Sequence, residues 1–149
     1  MMNYLEYKID KFIFRIADDR YYTDDGLWAK PENNHVRIGI SDFRQQRSGD
    51  VAFVEIKPEG TLLSVGEEFG VIETIKVNIS LASPISGKVI EVNPILETAP
   101  EAINQDPYGR GWLVVIETEE GEKSIKPLQG PQEYYSLMKR EAEQELNTK

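Results

Sequence analysis

The sequence predicts a mainly β fold, a small sandwich or barrel with short helices and an amphipathic helix at its C-terminal end. Three observations carry this prediction. Apolar and polar residues alternate over short runs, turn residues recur at the spacing of a β sandwich, and beyond Pro131 the apolar period changes from two to three and four.

The elements follow in order. The first twenty residues contain one alternating apolar stretch, Phe12 to Ile16, which suits a strand. Tyr21 to Gly26 has the composition of a turn and leads into Leu27-Trp28-Ala29. Pro31-Glu32-Asn33-Asn34 forms a second turn by the same criterion. Val36 to Ile40 alternates with period two, as a half-buried strand does. Ser41-Asp42 is positioned to cap a short helix through Phe43 to Arg47 that ends by Gly49.

From Gly49 the pattern is almost wholly β. Val51 to Ile56 and Thr61 to Leu63 are predicted strands, separated by Pro58-Glu59-Gly60 and followed by a turn at Val65 to Glu68. Phe69 to Thr74 runs to a polar break at Lys76-Val77-Asn78. Ser80 to Pro84 resumes the strand pattern, Ser86-Gly87 turns, and Lys88 to Val92 follows. A short helix is predicted after Asn93-Pro94, ending near Asn104, then a last strand over Trp112 to Glu117. In the final segment Tyr134 or Tyr135, Met138, Ala142 and Leu146 recur at helical spacing, with charge on the opposite face. The expected role of this helix is to pack on the β domain; presentation to a partner protein is the alternative. The predicted division is therefore 1–130 for the β domain and 131–149 for a helix packed on it or trailing from it.

Composition excludes several function classes. The chain has 149 residues, enough for one domain with a real core. It contains no cysteine and one histidine, His35, which removes disulfides, cysteine nucleophiles, thiolate metal sites and histidine-rich metal sites. A net charge of −9 disfavours nucleic acid, whose phosphates require a basic surface. No run of eighteen apolar residues is present, so no helical membrane span is expected. The first twenty residues lack a basic head followed by an apolar stretch, so the cytoplasm is the expected location. No carboxylate pair has a distinctive catalytic spacing, and His35 sits in a polar turn. An independent enzyme is not expected.

One segment carries chemistry. In Gly70-Val71-Ile72-Glu73-Thr74-Ile75-Lys76-Val77, an apolar strand anchors the chain and Lys76 falls at the apex of the break that follows. A turn between short strands offers an exposed amine on a fixed base, as a swinging-arm attachment point requires. A plain surface lysine in a hairpin has the same local pattern.

The wider pattern separates the two. Glu73-Thr74-Ile75-Lys76 matches the lipoylation signature E-[ST]-x-K. Ile38 to Phe43 and Gly49 to Glu55 precede it; Ser83 to Asn93 and Ile103 to Leu113 follow it. In this order the blocks resemble the H protein of the glycine cleavage system across roughly residues 21–117. The resemblance implies the barrel-sandwich hybrid fold shared by lipoyl and biotinyl domains, a lipoyl-carrier domain over 1–130, and lipoate attached covalently to Lys76. Glu73 and Thr74 support the lipoylation motif. Biotin carriers are expected to have methionine on both sides of the lysine, whereas Ile75 and Val77 flank it here. The implied partners are a lipoylating enzyme, glycine decarboxylase, aminomethyltransferase and dihydrolipoamide dehydrogenase. The arm would reach about 14 Å, taking a dozen bonds at ~1.2 Å each, and its disulfide ring opens and closes by thiol–disulfide exchange. The carrier itself catalyses nothing.

The chain departs from the family at three polar positions. The H-E-W block is Gly26-Leu27-Trp28, so Leu27 replaces the acid; Phe43 stands where histidine is common; Ser80 stands where an aspartate is usual. Either Asp24, Asp25 or Asp42 replaces the missing polarity and methylamine remains the cargo, or the arm carries something else. The resemblance extends to H-like lipoate-binding proteins of sulfur oxidation, with a heterodisulfide-reductase-like complex as partner. An unmodified β-sandwich interaction module is the remaining alternative. Glu67, Glu68 and Glu73 are expected near the lipoyl end, as solvated turn residues or as steering charges for basic partners.

Overall fold

Residues 3–147 of the chain are described by the computed structural model. They open with a hairpin in which β1 (Tyr4–Ile9) pairs antiparallel with β2 (Phe12–Ala17). Asp10 takes a φ of 55° at the turn, a conformation that aspartate tolerates better than most residues. The sequence pattern showed only the second of these strands. β3 (Tyr21–Tyr22), β4 (Leu27–Glu32) and β5 (His35–Ile40) then meander into one sheet. Tyr21-Tyr22 is thus a strand, not part of the predicted turn. Pro31 and Glu32 likewise continue β4 opposite Val36 and His35, and the turn shrinks to Asn33-Asn34. Because β3 pairs only as far as Ala29, Pro31 lies on a free edge where its missing N–H costs no ladder bond.

α1 (Asp42–Ser48) forms as its caps predict. The Ser41 hydroxyl accepts from the Arg44 amide at 3.1 Å, and Gly49, at φ 89°, ends the helix by donating its amide to the Gln45 carbonyl. The chain continues through β6 (Val51–Ile56), β7 (Leu62–Leu63), β8 (Glu68–Thr74), β9 (Asn78–Ala82) and β10 (Gly87–Val92). A 3-10 turn at Pro94–Glu97 and the short α2 (Ala102–Gln105) lead to β11 (Val114–Glu117). α3 (Pro131–Asn147) closes the chain, and the predicted positions 148–149 lie outside the described residues. No helix among the described residues is long and apolar enough to cross a membrane.

The strands form a six-stranded sheet, β3-β4-β5-β11-β10-β7, and a three-stranded sheet, β6-β8-β9. Their inner faces bury one apolar cluster: Leu27, Ile38 and Ile116 from the larger sheet pack with Phe69, Ile72 and Leu81 from the smaller. This is the expected sandwich, with hydrophobic burial as its main stabilising force. A second cluster lies on the opposite face of the larger sheet. There the β1–β2 hairpin and α3 cover Trp28, which is fully buried. Tyr134, Met138 and Ala142 face inward from α3, at the spacing read from the sequence. Tyr134 stacks on Tyr22 at 4.5 Å between ring centroids and shares a 2.8 Å hydrogen bond with the Ser41 hydroxyl. Burial pushes the Tyr134 phenol up to about 12, so it stays neutral.

Tyr108 also belongs to this cluster. Its hydroxyl donates to the Arg15 carbonyl at 2.7 Å, and the Arg20 guanidinium is sandwiched near Trp28 and Tyr108. His35 stands at the start of β5, 3.9 Å from the Glu117 carboxylate.

Gly39 permits the close approach of Trp28 to β5. A Cβ at that position would lie 2.5 Å from the indole ring. Gly39→Ala is therefore expected to lower stability by roughly 1–3 kcal/mol through overpacking, read as a lower urea midpoint with an unchanged slope.

Candidate functional site

The turn between β8 and β9 spans Thr74 to Val77, and its backbone is tied from several directions. The Thr74 amide donates to the Val77 carbonyl at 2.9 Å. The Thr74 hydroxyl oxygen accepts from the amides of Lys76 (3.1 Å) and Val77 (3.0 Å), while its proton reaches the Ser48 carbonyl at 2.6 Å. The Ile75 amide donates to the Asp50 carbonyl at 3.0 Å. One threonine side chain thus closes the turn on itself and fastens it to the loop between α1 and β6.

That loop is fixed in its turn by Asn104 of α2. Its amide nitrogen donates to the Gly49 carbonyl (3.1 Å) and to the Gln45 side chain (3.0 Å), and its oxygen accepts from the Val51 amide (2.9 Å). Sequence reading did not find this support: Asn104 and Thr74 are far apart in the chain, and the blocks that contain Asn104 and Gly49 carry no sign that the two meet. Gly49 has a second function here. The Lys76 stem lies over it, with Cγ and Cδ 3.4 Å from where a Cβ would be.

Lys76 is exposed at the apex, and so are its neighbours Ile75 and Val77, at 73% and 48%. Glu73 is exposed beside the turn, opposite Asn78 on β9 and Phe53 on β6. The structure therefore brings Glu73, Thr74 and Lys76 together. It places Glu67 and Glu68 at the other end of β8, away from Lys76, which corrects the expectation that all three glutamates border the lipoyl end. The Ser80 hydroxyl donates to the Glu68 carboxylate at 2.5 Å.

Beside Lys76 is a cavity of about 130 Å³ between the β1–β2 hairpin, the end of α1 and the last turns of α3. Phe12 and Phe14 line one side and Arg47 and Glu145 another. Arg47 is held by Glu141 at 3.0 Å and Glu145 at 3.4 Å. None of Asp24, Asp25 and Asp42, the acids considered as replacements, lines this cavity. Asp42 accepts from the Arg15 amide and from the side chains of Gln45 and Gln46, and Asp24 accepts from Gln129. Among the described residues no cluster of acids and histidine is arranged to hold a metal ion.

A rigid turn that displays one lysine is a carrier's geometry, and comparison with known proteins gives the family. The family model for the glycine cleavage H-protein matches residues 20–141. The chain belongs to the glycine cleavage H-protein family. The glycine cleavage system H protein of Salinibacter ruber is 46% identical over 100 residues, 67% of this chain and 81% of that one. That of Carboxydothermus hydrogenoformans is 38% identical over 86% of this chain and 98% of its own. Among solved structures, the H protein of Mycobacterium marinum superposes with a TM-score of 0.72 at 33% identity, covering 80% of this chain and 95% of that chain. H proteins are lipoyl-carrier components of the glycine cleavage system and not catalysts, in keeping with the sequence expectation. The comparisons give no support to the sulfur-oxidation alternative or to a heterodisulfide-reductase-like partner. The β1–β2 hairpin lies outside the family match.

Thr74→Val keeps the shape of the side chain and removes the hydroxyl that joins turn to loop. The expected cost is about 1–2 kcal/mol, from lost hydrogen bonds and two amides left without their acceptor. Hydrogen exchange should show the effect confined to Lys76, Val77 and the Ser48–Asp50 loop.

Proposed function

We propose that Lys76 carries lipoate and that the chain shuttles methylamine on this arm between the enzymes of glycine cleavage. The observation that supports this best is the Thr74-bracketed turn, which presents Lys76 at its exposed apex within the E-T-I-K segment of an H-protein-family chain. Lipoate, once attached, supplies a disulfide that opens to a dithiol and closes again.

The chain's own residues do the rest. The fixed backbone of Thr74 to Val77 holds the lysine in one place, so a lipoylating enzyme meets an ordered substrate. The exposed Ile75 and Val77 and the Glu73 carboxylate then form the surface that each partner meets first. Apolar contact supplies affinity, and charge steers the approach of a basic partner. Glycine decarboxylase, aminomethyltransferase and dihydrolipoamide dehydrogenase are the partners on this reading, and the cytoplasm is the location. The names of the relatives favour glycine cleavage over sulfur transfer and over an unmodified interaction module.

Co-expression with a lipoate ligase should add the mass of one lipoyl group to the intact chain, and Lys76→Arg should abolish it. With the lipoylated chain, glycine decarboxylase and isotopically labelled glycine, label is expected on the carrier. A lipoylated chain that remains unlabelled under conditions that load another H protein would exclude methylamine as the cargo.

A further inference from the structure

We propose that the free edge of β6 is a docking site for an extended segment of another protein, one that alternates apolar, basic and apolar side chains. The inference is independent of the lipoylation of Lys76. β6 ends the three-stranded sheet β6-β8-β9, so one side of its backbone pairs with β8 and the other side is open. Edge strands are usually blunted, because a row of unpaired N–H and C=O groups recruits other chains. β7 has only two residues, and the open end of β4 carries Pro31. β6 has six residues, Val-Ala-Phe-Val-Glu-Ile, with neither proline nor lysine among them.

The ladder decides which groups are open. Antiparallel partners alternate between pairs that exchange both backbone bonds and pairs that exchange none. The Lys57 amide donates to the Phe69 carbonyl at 2.9 Å. Two steps back along the same register, Glu55 bonds with Val71, and two further back Phe53 bonds with Glu73. Val54 and Ile56 therefore turn their N–H and C=O groups away from β8, and no other element among the described residues meets them. They border a groove of about 660 Å³ that follows β6 from Ala52 to Ile56. Its far wall contains Pro94, Leu96 and Pro100, an apolar surface on which the two prolines offer no N–H.

An antiparallel strand laid in this groove would bond to Val54 and Ile56, and the side chains of β6 specify its sequence. Val54 and Ile56 pack on the sandwich core, whereas Glu55 and the half-exposed Phe53 lie on the outer face. The incoming residues opposite Val54 and Ile56 thus face apolar surroundings, and the residue between them stands opposite Glu55. Glu55 and Glu97 are the charged residues of the lining, which includes no base. A lysine or arginine opposite Glu55 satisfies that charge, and an aromatic residue two places on covers Phe53.

The same geometry argues against a second copy as the occupant. Two β6 edges that share their open positions would pair Val54 with Ile56 and Ile56 with Val54. Glu55 would then stand directly opposite its own copy, between chains that each carry a net charge of −9. Like charges in that position are destabilising. Glu55 both guards the edge against self-pairing and selects a basic partner.

The probe is a synthetic peptide with the central sequence Val-Lys-Val-Tyr, added at millimolar concentration to the isotopically labelled full-length chain. Hydrogen exchange at the Val54 and Ile56 amides should be fast in the free chain and slowed by the peptide. The Glu55 amide, already bonded to β8, should be slow in both. Replacing the lysine of the peptide with glutamate should weaken binding about fivefold, and the chain variant Glu55→Lys should reverse the preference. Slow exchange at Val54 and Ile56 in a free monomeric chain would overturn the open edge. A peptide that leaves both amides unprotected, or a preference that survives Glu55→Lys, would overturn the docking site. A free chain that sediments as a dimer with both amides protected would replace the partner with a second copy.

Discussion

Trp28 against Gly39 is the contact on which the rest of the molecule depends. Side chains of β4 alternate, so Leu27 and Ala29 enter the sandwich core while Trp28 enters the second cluster on the other face. A sheet that is apolar on both faces must be covered on both. The smaller sheet covers one. The hairpin and α3 must cover the other, and Trp28 is the residue they close over. The indole fits only because β5 offers bare backbone at Gly39, and its N–H is satisfied by the Pro107 carbonyl at 2.9 Å. Buried without that acceptor, the N–H would cost more than the bond itself contributes.

The position of the lysine follows from this packing. β5 runs directly into Ser41, and Ser41 serves both layers: it caps α1 and shares a hydrogen bond with Tyr134 of α3. α1 is thereby locked to the second cluster, and its end delivers the carbonyls of Ser48 and Asp50 to the Thr74 turn. A swinging arm works best from a base that does not itself swing. Order in the base limits disorder to the arm, so the lost backbone entropy is met during folding and not at each encounter with a partner.

What could be read from the sequence divides along a physical line. Local signals were legible. The Ser41 cap, the Gly49 stop, the turns at Gly60 and Gly66 and the three-and-four spacing of α3 are set by residues a few positions apart, and the structure contains each of them. The exposure of Lys76 in a turn was legible from the polar break it occupies, and the family was legible from the ordered blocks around it. Long-range pairing was not legible. β1, Tyr-Leu-Glu-Tyr-Lys-Ile, has no side chain that is fully buried and becomes a strand through pairing with β2 and packing on α3. Tyr21-Tyr22 has turn-rich neighbours, yet it joins β4, and the Tyr22 amide and carbonyl also pair with Gln129. The Asn104 clamp and the cavity wall were invisible for the same reason: each is assembled by segments far apart in sequence.

The three departures from the family pattern gain a physical reason from the same architecture. Leu27 is buried in the sandwich core, where an acid would lose its hydration and gain no partner. Phe43 is buried edge-on to Phe14 of the hairpin. A histidine there would point polar nitrogens into an aromatic cluster, so the hairpin and an apolar residue at position 43 belong together. Ser80 instead keeps a polar contact, with Glu68. The substitutions at 27 and 43 are thus packing changes before they are changes of cargo. An apolar hairpin over the second cluster removes the case for a polar group at position 43, whereas Leu27 answers to the sandwich core on the other face; the charges left near the end of α1 come from elsewhere. Arg47, Glu141 and Glu145 supply them, with two carboxylates to one guanidinium. One guanidinium against two carboxylates leaves this group net negative, which favours a cationic group beside it over an anionic one.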